Sequence, residues 1–215
     1  MKMLRDSRPK VSAIIPAFNE EETISDVVME TLKYVDEVVV VDDGSWDDTG
    51  RLALEAGARV VRQARNMGVL EAFKRGVREA KGDIIVTLDA DGQHSPSEIP
   101  RLLAPILNGE ADMVLGVREE LPHFSERVLT KLTGLRVKCS DVSTGFRAMK
   151  KSLAERMELH GTCLCGILQL EAHRLGGRIA EVPIRVKKRR GGGKRRIRTR
   201  HVRQFFYVLY YLMKG

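Results

Sequence analysis

Short apolar runs alternating with stretches of helical period predict an α/β fold, a mostly parallel sheet with helices on both faces. The runs are continuous rather than alternating, the pattern of strands buried on both sides. Two acidic clusters, Asp42-Asp43 and Asp89-Ala90-Asp91, each close one of these runs. That is the carboxyl end of a strand, where sheets of this kind bind ligands. A chain of 215 residues builds one such domain and is too short for two comfortable ones.

Taken in order, residues 11–15 form a first strand that stops at Pro16, and Asn19 followed by Glu20, Glu21 and Glu22 starts a helix with carboxylates at its positive end. Residues 37–41 carry four valines and form a second strand, ended by Asp42-Asp43-Gly44-Ser45. A helix from about residue 47 to 56 closes at Gly57. Residues 59–62 read as a third strand. Residues 66–81 place Val69, Leu70, Phe73 and Val77 on one helical face, with Gly82 as the stop. Residues 84–88 form the next strand and run into Asp89-Ala90-Asp91-Gly92; Ser95, Pro96 and Glu98 then suit an N-cap, a first helical position and a capping box. Residues 113–117 are a further strand. No internal repeat is present.

The net charge of +8 is uneven. From Arg185 onward there are twelve Lys or Arg and no Asp or Glu, leaving 25 basic against 29 acidic residues before it. Such a segment meets phosphates of nucleic acid, of an anionic membrane surface or of a phosphorylated substrate, and charge alone does not choose. Three cysteines, with Cys163 and Cys165 spaced C-x-C, make neither a disulfide framework nor a paired zinc set; small buried thiols in a reducing compartment are expected. The basic start is followed only by a short apolar run ending in glutamates, so no secretory signal is expected.

Asp89 and Asp91, two apart after a strand, can turn both carboxylates toward one hard divalent cation, and Gln93 can add a neutral oxygen. A helix cap and a solvated turn explain the same residues. Asp42-Asp43-Gly44-Ser45 can accept hydrogen bonds from a ribose or base, or can be a turn with Asp and Ser caps.

In combination these motifs are more specific. Pro16-Ala17-Phe18-Asn19-Glu20, Val41-Asp42-Asp43-Gly44-Ser45, Asn66-Met67-Gly68 and Asp89-Ala90-Asp91-Gly92-Gln93, in that order, resemble the family-2 inverting glycosyltransferases of the nucleotide-sugar-binding GT-A fold. Gly116-Val117-Arg118 and Asp141-Val142-Ser143-Thr144-Gly145-Phe146-Arg147 resemble the branch that makes dolichyl- or polyprenyl-phosphate sugars. The resemblance spans about residues 11–194. It implies transfer of a hexose-type sugar from a donor of the GDP-mannose or UDP-glucose kind to dolichyl or polyprenyl phosphate, with Mg2+ or Mn2+. It implies that Pro16, Phe18, Glu20, Val41 and Asp43 hold the nucleoside, and that Asp89 and Ala90 lie near the diphosphate. Asp91 and Gln93 would ligate the metal with Asp89 close by, and Arg118 would meet phosphate, so that Asp89, Asp91 and Arg118 form the catalytic group. Arg127, Asp141 and Arg147 are expected around the acceptor phosphate. A phosphomonoester has a second pKa of roughly 6 and is already an anionic nucleophile at neutral pH, so no strong general base is required.

Similar enzymes follow Val182-Pro183-Ile184 with an Arg-containing loop ending in Gly-x-Ser-Lys. Here Lys194 matches but the serine is absent, and Lys188, with Arg189 and Arg190 adjacent, replaces the arginine, leaving the register open. Lys188, Arg189 and Lys194 are expected on the donor phosphates. The chain thus divides into a catalytic domain at 1–184, a basic Gly-rich loop at 185–200 and a helix at 201–215.

That last segment holds half of the Phe and Tyr residues but falls short of the ~20 apolar residues of a membrane span. It suits a membrane interface or docking on the domain or on a second copy. Peripheral association with the cytoplasmic face of a membrane is expected, with a membrane-protein partner or a homodimer open and no nucleic acid. The rivals are the same donor chemistry with a glycan or small-molecule acceptor, and nucleic-acid binding through the basic tail, which leaves the acidic clusters unexplained. His94 is expected at the surface; Trp46 covers the nucleotide pocket or packs beneath it; His160 and His173 have no partner pattern; Ser143 and Thr144 lie outside any nucleophile elbow.

Overall fold

A computed structural model describes residues 8–119, 123–187 and 197–214. The chain runs β1 Val11–Ala17, α1 Ile24–Leu32, β2 Glu37–Asp42, α2 Thr49–Glu55, β3 Arg59–Arg62, α3 Val69–Glu79, β4 Ile84–Thr87, a 3-10 turn Pro96–Glu98, α4 Ile99–Leu107, β5 Met113–Arg118, α5 Phe124–Thr133, β6 Arg147–Lys150, α6 Lys151–Ala154, α7 Ile167–Arg174, β7 Ile179–Ile184 and α8 Ile197–Lys214. The strands form one sheet in the order β3-β2-β1-β4-β6-β5-β7. Every pairing is parallel except those of β6, which runs antiparallel between β4 and β5. The expected mostly parallel sheet with helices on both faces is therefore present.

Alternation along the strands sorts the core into two layers. Ile14, Val39, Val41, Ile85, Leu115 and Met149 face α3, α5, α6, α7 and α8, whereas Ala13, Ile15, Val40, Val86, Val114 and Ala148 face α1, α2 and α4. The same alternation puts Arg147 on the face of Met149 and Phe146 on the face of Ala148. Because β6 runs antiparallel, its first residue lies level with the carboxyl ends of its neighbours: Arg147 pairs with Thr87 and with Leu115. A cation is thereby delivered to the edge where the acidic turns emerge.

Several boundaries differ from the sequence expectation for local reasons. β1 continues through Pro16 to Ala17. Ile14 accepts from Leu88 N–H, so Pro16, two residues on, faces the same side after β4 has ended at Thr87, and its missing N–H costs no ladder bond. α1 starts at Ile24 rather than at Asn19, which takes a left-handed φ of 55°. The N–H groups there are used across the site instead: Asn19 N donates to Ser45 Oγ at 3.0 Å and Glu20 N to Thr49 Oγ1 at 2.8 Å. The Ser95 capping box does not form, since Ser95 Oγ meets Ser97 Oγ at 2.9 Å and Glu98 takes Arg101 at 2.6 Å, leaving a 3-10 turn ahead of α4. α3 ends at Glu79 with an extended Ala80, so Gly82 is not its stop; the Gly82 N–H donates to Ser12 Oγ at 2.7 Å. β6 and most of α5, α6 and α7 had no distinct signal in the sequence.

α8 lies against α5 and α7 and buries Gln204, Val208 and Tyr211. Its other side exposes Val202, Phe206, Tyr210 and Met213, spaced for one helical stripe. Docking on the domain and an exposed apolar face are thus properties of one helix. Among the described residues, no helix is long and apolar enough to cross a membrane.

Candidate functional site

The four expected motifs converge at the carboxyl edge of β1, β2 and β4, and hydrogen bonds fasten them to one another. Thr23 Oγ1 donates to Ala90 O at 2.8 Å, tying the turn after β1 to the Asp89-Ala90-Asp91 turn. Asn19 Oδ1 accepts from Trp46 N at 3.1 Å, tying the same turn to the one after β2. The Asp43 carboxylate accepts from Gln63 Nε2 at 2.6 Å, Met67 N at 2.7 Å and Gly68 N at 2.8 Å. Asp43 is 4% exposed; its charge organises the Asn66-Met67-Gly68 turn at the start of α3. Val41 is fully buried in β2 and Ala90 nearly so, so any ligand contact by either runs through its backbone. Glu20 and Pro16 are half-buried at the rim. Phe18 meets Trp46 edge to face at 5.0 Å, and Trp46 is 81% exposed: it stands over Phe18 rather than beneath the pocket.

The Asp89-Ala90-Asp91 turn is asymmetric. Asp91 is buried and accepts from Gln93 N at 3.1 Å, while the Asp89 carboxylate is half open to solvent. It packs so closely on Gly145 that a Cβ there would lie 2.4 Å from its oxygens, which explains the glycine after Ser143-Thr144. His94 corrects the expectation of a surface residue. It is 6% exposed, stacks on Phe146 at 5.2 Å and accepts from Asp89 N at Nδ1 (3.3 Å). Burial pushes its pKa below the ordinary 6.5, against the pull of Asp89 and Asp91. A neutral ring accepting at Nδ1 carries its proton on Nε2. His94 supports the turn from below and adds no charge to it.

Two carboxylates and an amide make a hard, all-oxygen donor set that fits Mg2+ or Mn2+. Among the described residues no three His, Cys, Asp or Glu side chains converge, so a cation here would take most of its ligands from substrate oxygens and water. Gln93 also links the turn to the basic segment: its carbonyl accepts from Lys187 N at 2.8 Å, and Val186 bridges to His94. Lys188, Arg189 and Lys194 lie outside the described residues.

The arginines divide into two kinds. Arg118 is committed internally, with Nε to Asp141 Oδ2 at 2.7 Å, Nη2 to Asp141 Oδ1 at 2.9 Å and a longer contact to Glu126 at 3.4 Å. Burial pushes Asp141 up, but the Arg118 hydrogen bonds and charge, with the Ser143 N–H, outweigh it and hold the carboxyl below its ordinary value. Arg147 is 3% exposed, and among the described residues its Nε has no hydrogen-bond partner. Burial pushes its pKa down against the influence of Cys165, Asp89, Asp141 and Cys163 around it. A buried guanidinium without a bonded anion is costly. Arg127 is exposed on α5. Among the described residues no disulfide forms; Cys163 is buried, and burial pushes the half-buried Cys139 thiol up to about 12.

The hydrogen bonds of Thr23 and His94 were not read from the sequence. Each is a single polar residue beside a motif, and only the fold supplies its partner.

The profile of Glycosyl transferase family 2 matches residues 12–123. A dolichol-phosphate mannosyltransferase of Pyrococcus furiosus is 29% identical over 233 residues, covering 95% of this chain and 64% of that protein. The chain therefore spans a little under two thirds of that relative's length. A UDP-N-acetylglucosamine–dolichyl-phosphate N-acetylglucosaminyltransferase of Methanococcus voltae is 32% identical over 213 residues, covering 80% of this chain and 83% of that protein. Among solved structures, glucosyl-3-phosphoglycerate synthase of Mycobacterium tuberculosis in complex with Mn2+, UDP-glucose and phosphoglyceric acid superposes with a TM-score of 0.82 at 25% identity, covering 94% of this chain and 79% of that one.

Proposed function

The chain belongs to glycosyl transferase family 2, and from that premise we propose that it moves a hexose-type sugar from a nucleotide diphosphate sugar to a polyprenyl phosphate at a membrane surface. One observation carries the choice of acceptor. Arg147 is a buried cation whose Nε has no hydrogen-bond partner among the described residues, at the strand edge that leads to Asp89, and a phosphomonoester supplies negative charge and acceptor oxygens there. Arg118 is the weaker candidate for that task, because Asp141 and Glu126 already neutralise it. The names of the Pyrococcus and Methanococcus relatives, both transferases to dolichyl phosphate, support the reading.

On the donor side, Phe18 and Trp46 form an aromatic edge for the base, and the Asp43-ordered turn offers backbone near the sugar phosphates. A divalent cation of the Mg2+ or Mn2+ kind, held by Asp91 and Gln93 with Asp89 near, would offset charge on the departing nucleoside diphosphate. The acceptor phosphate oxygen attacks the anomeric carbon as the bond from that carbon to the diphosphate oxygen breaks. The acceptor arrives ionised, so no side chain removes a proton, and one in-line displacement inverts the carbon. Arg147 holds the attacking phosphate, the Arg118–Asp141 pair shapes the wall beside it, and the basic segment that leaves Lys187 meets the donor phosphates.

The outward stripe of α8, with no acidic residue along the helix, lies along the headgroup region of the cytoplasmic face in this reading. A phosphorylated small molecule is the second reading, favoured by the fold-neighbour bound to phosphoglyceric acid. Incubating the purified chain with GDP- and UDP-sugars, Mn2+ or Mg2+, and either polyprenyl phosphate or phosphoglycerate separates the two. Product on the lipid alone supports the first; product on phosphoglycerate alone replaces it.

A further inference from the structure

The segment between α6 and α7 has no regular structure, yet two side chains of α8 hold it. Gln204, fully buried, accepts at Oε1 from Thr162 N (3.1 Å), Cys163 N (3.1 Å) and Thr162 Oγ1 (3.2 Å), and donates from Nε2 to Cys165 O at 2.8 Å. One turn-pair later, Tyr211 Oη accepts from His160 N at 2.8 Å and donates to Glu158 O at 2.5 Å. The segment also packs closely on the helix: a Cβ on Gly166, whose φ is +78°, would come within 2.9 Å of Val208.

This segment lies between the surroundings of Arg147 and two cavities. Cys163 and Cys165 are among the ionisable groups around Arg147. Gly161 and Thr162 line a cavity of about 740 Å³ together with Asn66, Met67, Gly68 and Arg203 of α8. His160 lines a second cavity, of about 450 Å³, with Phe206, Tyr207 and Tyr210 on the outward side of α8. Thus residues 160–162 border cavities shared with the donor-side turn and with the aromatic face of the helix.

We infer that Gln204 is a positioning residue for the acceptor half of the site. By fixing residues 162–165 it sets the wall along which the acceptor phosphate reaches Arg147, so the helix that faces the lipid surface also controls acceptor geometry. The inference rests on the lipid-phosphate reading given under Proposed function. An amide whose one oxygen takes three donors, two of them backbone N–H groups on consecutive residues, fixes a loop more tightly than apolar packing does, because each buried donor left unpaired is costly.

The test is steady-state kinetics of the full chain with polyprenyl phosphate, comparing wild type, Gln204→Ala and Gln204→Glu. Gln204→Ala is expected to raise the KM for the lipid phosphate about tenfold or more while the KM for the nucleotide sugar stays within about twofold. Gln204→Glu keeps the accepting oxygen and, in its acid form, the donor to Cys165; it should bring the acceptor KM back to within about threefold of wild type. If Gln204→Ala does not fold, Gln204→Glu decides alone, through an acceptor KM that rises relative to that of the wild type at the same pH as pH is raised and the carboxyl ionises, with the donor KM steady. Equal changes in both KM values, or none, overturn the inference. A wild-type chain that transfers no sugar to polyprenyl phosphate overturns instead the reading on which it rests.

Discussion

Arg118 and Asp141 meet through two parallel hydrogen bonds, Nε to Oδ2 at 2.7 Å and Nη2 to Oδ1 at 2.9 Å, with the Asp141 side chain wholly buried and that of Arg118 11% exposed. The pair joins the end of β5 to the turn ahead of β6. It fixes that turn through further bonds from Ser143 N and Thr144 N to Asp141 Oδ1, at 3.0 and 3.1 Å. The turn in turn places Gly145 against Asp89 and leads directly into Arg147. An ion pair that neutralises itself therefore builds the geometry in which a second arginine has, among the described residues, no hydrogen-bond partner at Nε.

Breaking the pair from one side should be costly. Asp141→Asn keeps the shape but leaves Arg118 with Glu126 as its remaining carboxylate, and loss of one member of a buried pair destabilises by about 3 kcal/mol. Urea unfolding at neutral pH measures it; a loss under about 1 kcal/mol would show that Glu126 compensates.

The same pair sets a pH dependence. The folded Asp141 carboxyl lies below its ordinary value of 3.8, so between these two values the unfolded chain binds more protons and stability rises with pH. The contribution is fully present above the ordinary value and is lost as pH falls through the folded one. The stability gap between wild type and Asp141→Asn is thus expected to be constant near neutrality and to close in acid, as read from urea midpoints over that range.

Asp91→Asn tests the cation. The amide keeps an oxygen but loses the charge, and transfer is expected to fall about a thousandfold, the equivalent of about 4 kcal/mol. Because Asp91 also holds Gln93 N, nucleotide titration with and without Mn2+ accompanies the assay. Cation-dependent binding should vanish while cation-independent binding persists; Mn2+ dependence unaltered in the variant would remove Asp91 from the donor set.

How far these features were legible follows from the range of the interactions. The strands and acidic turns up to Asp91 were readable because each is a local pattern: an apolar run, then Asp or Gly where a turn needs it. The sequence leaves the place of Trp46 open between covering the pocket and packing beneath it, and only its edge-to-face contact with Phe18 decides it. β6 was not, since Arg147–Lys150 is only four residues long and owes its place to pairing between β4 and β5 rather than to its own pattern. His94 misled because its neighbours Gln93 and Ser95 suggest a polar surface turn, whereas its environment is Phe146, some fifty residues on. Arg147 could be named from a motif, but its burial and the unpartnered state of its Nε among the described residues are properties of the packed molecule.

The aromatic face of α8 makes a separate prediction. Phe206 and Tyr210 are 66% and 46% exposed and lie opposite Gln204, Val208 and Tyr211, so Phe206→Glu with Tyr210→Glu leaves the packed side intact. Truncating the helix would not, because its inner face belongs to the core. Sedimentation with vesicles containing anionic lipid should show binding reduced about tenfold or more, with wild-type binding falling as salt is raised. Nucleotide binding is expected to stay unchanged. Equal vesicle binding by variant and wild type would leave the face to a protein partner instead.

Arg147→Met separates function from stability. Methionine has a similar length and no charge, and it removes a buried guanidinium whose Nε has no hydrogen-bond partner. Replacing such a charge with an apolar side chain of similar volume stabilises by about 1 kcal/mol, so the urea midpoint should rise. The phosphate acceptor loses its charged partner, and its KM should rise about a hundredfold, equivalent to about 2.7 kcal/mol, with donor binding intact. The two shifts run in opposite directions, which a residue retained only for packing cannot produce. A variant both less stable and less active would mean that Arg147 is structural, whereas one more stable and fully active would mean that the acceptor phosphate is held elsewhere.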